Sequence, residues 1–182
     1  ELQTERRGGF RVMIRPFEPA DWEAVSQIYA EGAVSGKAVF HYEKPSWEGW
    51  DSSHIKACRL VAEENGVVVG WTALRPVSDK CMDNGAAKVS TYVSTDARGK
   101  GIGKALMNAL IEASEREGIW SLQPSVISEN AASIRLCETC GFRRVGYREK
   151  INRYDNGVWH NLVLFERRSK VVEGGSCGCG CC

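Results

Sequence analysis

Val89-Ser-Thr-Tyr-Val-Ser-Thr-Asp-Ala-Arg-Gly-Lys-Gly-Ile-Gly-Lys104 is the stretch whose reading decides the fold. Side chains alternate from Lys88 to Val93 and predict a strand. Residues 97–103 are glycine-rich, and Ile102, Leu106, Leu110 and Ile111 then recur at helical spacing, predicting a helix to about Arg116. A strand that enters such a turn with a helix directly beyond it aims unpaired backbone N–H groups and the positive helix end at one point. That arrangement binds phosphate. Arg98, Lys100 and Lys104 add positive charge, and Gly101 and Gly103 let a ligand approach the backbone without a Cβ in the way. A plain strand-to-helix connection reads the same residues equally well.

Upstream, Val12 and Ile14 alternate with Arg11, Met13 and Arg15 as a short strand that Pro16 and Pro19 stop. Asp21 is placed to cap a helix carrying Trp22, Val25, Ile28 and Tyr29 before Gly32. A second helix is predicted from Ser46, with Trp47, Trp50, His54, Ile55 and Cys58 along one side, after a loop over 36–44. Residues 60–63 and 67–74 read as strands joined by a tight hairpin, because Asn65-Gly66 readily takes the positive φ angles of a type I′ turn. Residues 76–85 form a polar loop. Downstream come a strand over 120–127, a helix over 131–140 ended by Gly141, and a strand pair, 142–148 and 158–165, around Asp155-Asn156-Gly157. Interleaved strands and helices with hairpins at both ends give the α/β (α+β) class, a mixed sheet covered by helices.

The 182 residues suit one domain with its own core. We place it at 11–168, with 169–182 as an unpacked tail. At 43% hydrophobic and 26% charged the chain excludes disordered and collagen-like classes, and 24 Lys+Arg against 23 Asp+Glu gives no general reason for a nucleic-acid partner. No apolar run reaches the roughly 18 residues of a membrane helix and the start has no signal-peptide segment, so the expected location is cytoplasmic and no membrane partner is expected. Cys58, Cys81, Cys137 and Cys140 are scattered and read as reduced thiols. Cys177, Cys179, Cys181 and Cys182 crowd the glycine-rich end, where flexible spacers let thiolates converge on Zn(II), Cu(I) or trivalent arsenic; an uncommitted tail is the alternative.

Arg98-Gly-Lys-Gly-Ile-Gly103 resembles the Arg/Gln-x-x-Gly-x-Gly/Ala pattern of GNAT acetyltransferases, whose loop holds the pyrophosphate of acetyl-CoA. Asn130-Ala-Ala-Ser-Ile-Arg-Leu-Cys-Glu-Thr-Cys-Gly-Phe142 is similar to the family's segment from a cofactor-contacting Asn to a Gly-Phe. The resemblance covers about residues 11 to 166 and is greatest to the phosphinothricin and arsinothricin N-acetyltransferase branch, through Ala38-Val-Phe40, Pro76-Val-Ser-Asp-Lys-Cys81, Val89-Ser-Thr-Tyr-Val93 and Gly157-Val-Trp-His-Asn161. It implies a mixed, mostly antiparallel central sheet flanked by helices and acetyl-CoA as cofactor. The cofactor contacts it implies are Tyr92 and Val93 at the acetyl carbonyl, Arg98, Gly99, Lys100, Gly101, Ile102, Gly103 and Lys104 at the pyrophosphate, and Asn130 and Ser133 beyond. It also implies a homodimer, and direct transfer to the amine of a small amino-acid-like substrate such as phosphinothricin, arsinothricin or methionine sulfoximine.

The chain departs from that branch at polar positions. The branch usually has a glutamate base where Lys88 stands; a lysine serves only if burial or nearby cations bring its pKa to roughly 7 to 8. Asp83, where tyrosine is common, is the alternative carboxylate. Cys137 replaces the Tyr or His that gives a proton to the leaving thiol; a cysteine, ordinarily near about 8.5, either donates or is core packing. For the substrate, Lys80 supplies charge where arginine is common, Phe40 an apolar wall, and Trp159 with His160 frames either the pocket or the strand pairing. Three readings follow: an active amino-acid N-acetyltransferase, an acetyl-CoA-binding module of low activity, and a thiol-tail metal carrier.

Overall fold

The computed structural model describes residues 3–7, 10–34, 43–78, 85–153 and 157–172. One mixed sheet organises them. β1 (Gln3–Arg7) and β2 (Phe10–Pro16) form a first antiparallel pair, followed in the sheet by β3 (Arg59–Glu64), β4 (Val67–Pro76) and β5 (Ala86–Val93), each antiparallel to its neighbour. β5 runs parallel to β6 (Ser121–Gln123) for three residues only. β6 and β7 (Ser125–Ile127) both pair antiparallel with β9 (Trp159–Arg168), which also carries β8 (Arg143–Arg153). The mixed, mostly antiparallel sheet flanked by helices is as expected.

α1 (Trp22–Val34) and α2 (Trp47–Ser53) cover one face of the sheet, and α3 (Ile102–Arg116) the other, with α4 (Ala131–Thr139) beside it. Neighbouring residues of β3 divide between the faces: Val61 joins Val25, Ile28, Trp50, Trp71 and Ala73, while Ala62 joins Ile14, Ile102 and Leu106. A third cluster sets Leu74, Met107, Leu110, Leu122 and Phe165 beneath α3 and α4. Burying each large apolar side chain stabilises the fold by about 1.5–3 kcal/mol. No helix among the described residues is long and apolar enough to cross a membrane.

The β3–β4 hairpin turns at Asn65 (φ 53°) and Gly66 (φ 82°), as the Asn-Gly pair predicts. α4 ends at Gly141 with φ 81°. Other elements differ from expectation. β1 adds a strand upstream of residue 11 from Gln-Thr-Glu-Arg-Arg, which has no apolar alternation. Asp21 is not a simple cap for α1: a short turn over Pro19–Asp21 leads into the helix, and the Asp21 carboxylate takes the Glu18 N–H at 2.8 Å and both Arg15 terminal nitrogens at 2.7 and 2.8 Å. Burial pushes that carboxyl up, but the Arg15 and Glu18 hydrogen bonds outweigh it and hold the group below its ordinary range. α2 starts after Ser46, whose hydroxyl accepts from Gly49 N–H at 3.1 Å, but stops at Ser53, short of Ile55 and Cys58. The single strand expected over 120–127 is interrupted at Pro124, which has no N–H for the ladder.

Candidate functional site

The break in β5's pairing makes the site. Lys88 is the last β5 residue paired to β6, opposite Gln123, so residues 89–93 keep β4 on one side and open a gap toward β7 on the other. β9 holds β6 and β7 in one continuous register across Pro124, so the gap lies between β5 and β7. Thr72, 1% exposed, locks the strand from the β4 side: its hydroxyl donates to Ser90 C=O at 2.9 Å and meets the Thr91 hydroxyl at 2.8 Å.

A cleft of about 180 Å³ occupies the gap, lined by β5, by β7 and by Asn130, Ser133, Leu136 and Cys137 of the α4 region. Asn130 caps α4 by accepting Ser133 N–H at 3.1 Å. At the end of β5 the chain passes through Gly99 (φ 78°) and Gly101 (φ 85°) into α3. Nothing lies within 4 Å of where a Cβ would stand on either residue, so the cradle at the α3 N-terminus is open. Gly103 packs instead, its Cβ position 3.3 Å from Leu136. Two loop cations are already engaged: Arg98 Nε donates to Val93 C=O at 3.2 Å and Lys100 Nζ lies 3.1 Å from Glu64 Oε2.

A second cavity of about 210 Å³ lies on the α1/α2 face, walled by Trp22, Tyr29, Trp50 and Trp71 and shared with the first cleft at Ser90 and Tyr92. Tyr92 stacks on Trp71 at 4.9 Å and meets Tyr29 edge-on at 5.3 Å. Burial first, and Tyr29 second, push its phenol well above the ordinary range, so it stays neutral and able to donate. His54 follows the C-terminus of α2 and lines the same cavity. Arg59, 5% exposed, fixes that end by donating to the Asp51 carboxylate and to the Asp51 and His54 carbonyls, while Ile55 N–H bonds Leu74 C=O at 2.8 Å on β4. His54 Nδ1 lies 2.8 Å from Trp50 C=O, which can only accept, so Nδ1 carries the proton and Nε2 the lone pair. Burial lowers this histidine to about 4, with the Trp50 carbonyl opposing and Arg75 and Arg59 adding to the fall.

Residues 22–142 match the acetyltransferase (GNAT) family. This chain belongs to it. The GNAT chain is 35% identical over 163 residues to the L-methionine sulfoximine/L-methionine sulfone acetyltransferase of Pseudomonas aeruginosa, covering 84% of this chain and 92% of that one. It is 32% identical over 169 residues to the phosphinothricin N-acetyltransferase of Streptomyces coelicolor, covering 86% and 99%. Among solved structures, yncA from Salmonella typhimurium with its cofactor acetyl-CoA superposes with a TM-score of 0.82 at 25% identity, covering 91% of this GNAT chain and 99% of that one.

The geometry sorts the residues singled out in the sequence. Tyr92, Asn130, Ser133 and Cys137 line the β5–β7 cleft, and the loop from Arg98 to Lys104 sits at the N-terminus of α3. Lys88 is exposed and stands opposite Arg75 in the strand pairing. Cys137 reaches the cleft, but burial first, with Cys140 and Glu138, pushes its thiol up to about 12, which makes it a reluctant proton donor. Trp159 is half-exposed on the β8–β9 hairpin and lines neither cavity, and His160 Nδ1 lies 3.2 Å from Glu129. Phe40, Lys80, Asp83 and the four tail cysteines lie outside the described residues. Among the described residues no group of three or more His, Cys, Asp or Glu is placed to hold a metal ion. Sequence reasoning missed Arg75 and His54 as cavity residues; the strand pairing that brings Arg75 opposite Lys88 is the signal that finds the first.

Proposed function

We propose that this GNAT enzyme acetylates the amino group of a small amino-acid-like substrate, a glutamate analogue of the phosphinothricin, arsinothricin or methionine sulfoximine kind, and thereby detoxifies it in the cytoplasm. The observation that carries this reading is the meeting of two cavities at Ser90 and Tyr92. One suits an extended cofactor arm entering from the glycine cradle, and the other is large enough for an amino acid beside the point of transfer. The named activities of the two sequence relatives support the substrate class.

Acetyl-CoA, when bound, supplies an acetyl thioester activated toward an amine. The open backbone at Gly99 and Gly101 and the start of α3 at Ile102 and Gly103, ahead of Lys104 whose N–H already donates to Gly101 C=O, fit its pyrophosphate. Lys104 on the first turn of α3 adds charge, while Asn130 and Ser133 flank the arm. Backbone polar groups on the open edge of β5 near Tyr92 and Val93 orient the acetyl carbonyl. Tyr92, held neutral, stands as a hydroxyl donor between the two cavities. Aromatic walls exclude water from the amine side. The three described body thiols, all free, suit a reducing compartment. Exposed Val145, Tyr147, Ile151, Val158 and Trp159 on the β8–β9 hairpin support the homodimer expected of the branch.

The test is mass-spectrometric detection of acetylated product from purified protein, acetyl-CoA and a panel of phosphinothricin, arsinothricin, methionine sulfoximine and common amino acids. Acetylation of the glutamate analogues in preference to the common amino acids is expected. The second reading, an acetyl-CoA-binding module of low activity, is favoured by the lack of any carboxylate among the described residues lining the amine cavity. Tight acetyl-CoA binding with no product from the panel would replace the first reading with the second.

A further inference from the structure

The amine cavity has an electrostatic character that the acetyl-transfer reading does not explain. Strand register sets Arg75 of β4 opposite Lys88 of β5, Ala73 opposite Ser90 and Trp71 opposite Tyr92. Alternation places these pairs on one face of the sheet, the face where Trp71, Arg75, Ser90 and Tyr92 line the cavity. Like charges directly across an antiparallel pair destabilise it. Neither Arg75 nor Lys88 has an acidic partner among the described residues, and both are exposed. The described lining offers no carboxylate, and the one imidazole in it, on His54, feels Arg75 as a repelling charge. An ammonium substrate with no other charge would be repelled here. A substrate that brings its own anion would be held.

The spacing fits such a molecule. Lys88 and Ser90 are two residues apart, about 7 Å along a strand, and Ser90 is where the cavity joins the cofactor cleft. An amino acid carries its α-carboxylate one carbon, and an acidic side-chain head several carbons, from its amine, so with the reach of the long Arg75 side chain either anion held there leaves the nitrogen near that junction. The guanidinium offers two parallel N–H donors matched to two oxygens of a carboxylate or related oxyacid; Lys88 adds charge without a fixed direction.

We propose that Arg75, assisted by Lys88, is an oxyanion-recognition subsite that selects amines bearing a carboxylate or similar oxyacid group over simple amines and amidated amino acids. This rests on the acetyltransferase reading for its context, and it adds a residue pair and a rule of selection. The oxyanion is either the α-carboxylate or an acidic side-chain head, and the substrates of the test distinguish the two.

The full chain and its Arg75→Ala and Arg75→Lys variants are compared by product mass on L-methionine sulfone, L-phosphinothricin and the α-carboxamide of each. Losing one partner of a charge pair costs about a hundredfold where the bound ligand desolvates it and less than about tenfold where it stays exposed, so the unaltered chain should prefer methionine sulfone to its carboxamide by about ten- to a hundredfold. In Arg75→Ala the preference should fall to within about threefold of unity, through slower acetylation of the acid, with Arg75→Lys between. If the phosphinothricin carboxamide remains a good substrate and loses that status in Arg75→Ala, the side-chain head is the group held, and the subsite stands. An acid-to-amide preference unchanged by Arg75→Ala overturns it. Should no amine be turned over, the acetyltransferase reading fails separately. The subsite is then read by calorimetric binding of N-acetyl-methionine sulfone to the CoA-saturated chain, where weaker binding by Arg75→Ala supports it and equal binding overturns it.

Discussion

Replacing His54 with phenylalanine should make stability curves cross as the pH falls. Burial, then Arg75 and Arg59, bring this histidine from 6.5 to about 4 against the opposing Trp50 carbonyl. Between those values the unfolded chain binds a proton that the folded chain refuses, so stability is full above pH 6.5 and is lost as the pH drops toward 4. Integrating over that interval, acidification from pH 7 to 4.5 costs the folded state about 2 kcal/mol at this residue. His54→Phe keeps a ring on Trp50, where the imidazole now stacks at 4.5 Å, but loses the bond to Trp50 C=O. That loss is worth about 1 kcal/mol at pH 7. The variant should therefore be about 1 kcal/mol less stable at pH 7 and about 1 kcal/mol more stable near pH 4.5. Asp21 and Asp51, whose carboxyls are also held low by arginine partners, add to the acid lability of both proteins and cancel in the difference. Urea unfolding at pH 7, 5.5 and 4.5 measures it. A difference that stays constant with pH would show that burial does not hold His54 neutral.

Gly101→Ala places a methyl in open space at φ 85°, so its strain should cost only about 1 kcal/mol while acetyl-CoA affinity falls about tenfold or more; Gly66→Ala, at φ 82° in the β3–β4 hairpin, should show the strain without the affinity loss. Equal acetyl-CoA titrations for the two variants would refute the cradle. Cys137→Ala should keep kcat within about threefold, because a thiol near 12 contributes little as an acid; a loss of about a hundredfold at unchanged cofactor affinity would make it the donor. Gly85→Ala would put a Cβ 1.8 Å from the Trp120 ring, whose backbone N–H is tied to Gly85 C=O at 2.8 Å, and should lower stability by about 3 kcal/mol, partly recovered by adding Trp120→Ala. Additive effects in thermal melts would exclude that clash as the cause.

Elements whose determinants are adjacent in sequence were legible. Asn65-Gly66 carries its turn geometry in two residues, and the loop from Arg98 to Gly103 carries its glycines, its charges and the helix that follows within one short stretch. Elements that depend on partners were not. β1 pairs in register with β2 although its sequence has no apolar face. The apolar pattern after Trp50 runs on through Ile55 to Cys58, yet α2 ends at Ser53 because Arg59 binds carbonyls at its terminus and Ile55 N–H is drawn to Leu74 of β4. Tertiary hydrogen bonds there override a helical period.

The same division separates the two halves of the site. The cofactor side is written along β5, its loop and α3, so spacing alone exposes it. The amine side is assembled from α1, α2, β4 and β5, and its chemistry depends on a register set across residues 77–85, which no local signal specifies. In the sequence Lys88 stood out as a lysine where a glutamate base was expected, a base itself only if burial or nearby cations lower its pKa. Once Arg75 lies opposite it, with no described carboxylate in the cavity and a neutral imidazole nearby, its charge acquires a direction. Two adjacent cations on an exposed sheet face disfavour the folded strand pair unless something anionic meets them. Among the described residues no carboxylate offsets that pairing, which is a reason to read Lys88 with Arg75 as machinery for the substrate's anion. Replacing Arg75 then tests more than a lone arginine: it tests whether Lys88, standing where a base was expected, serves with it as a counter-ion.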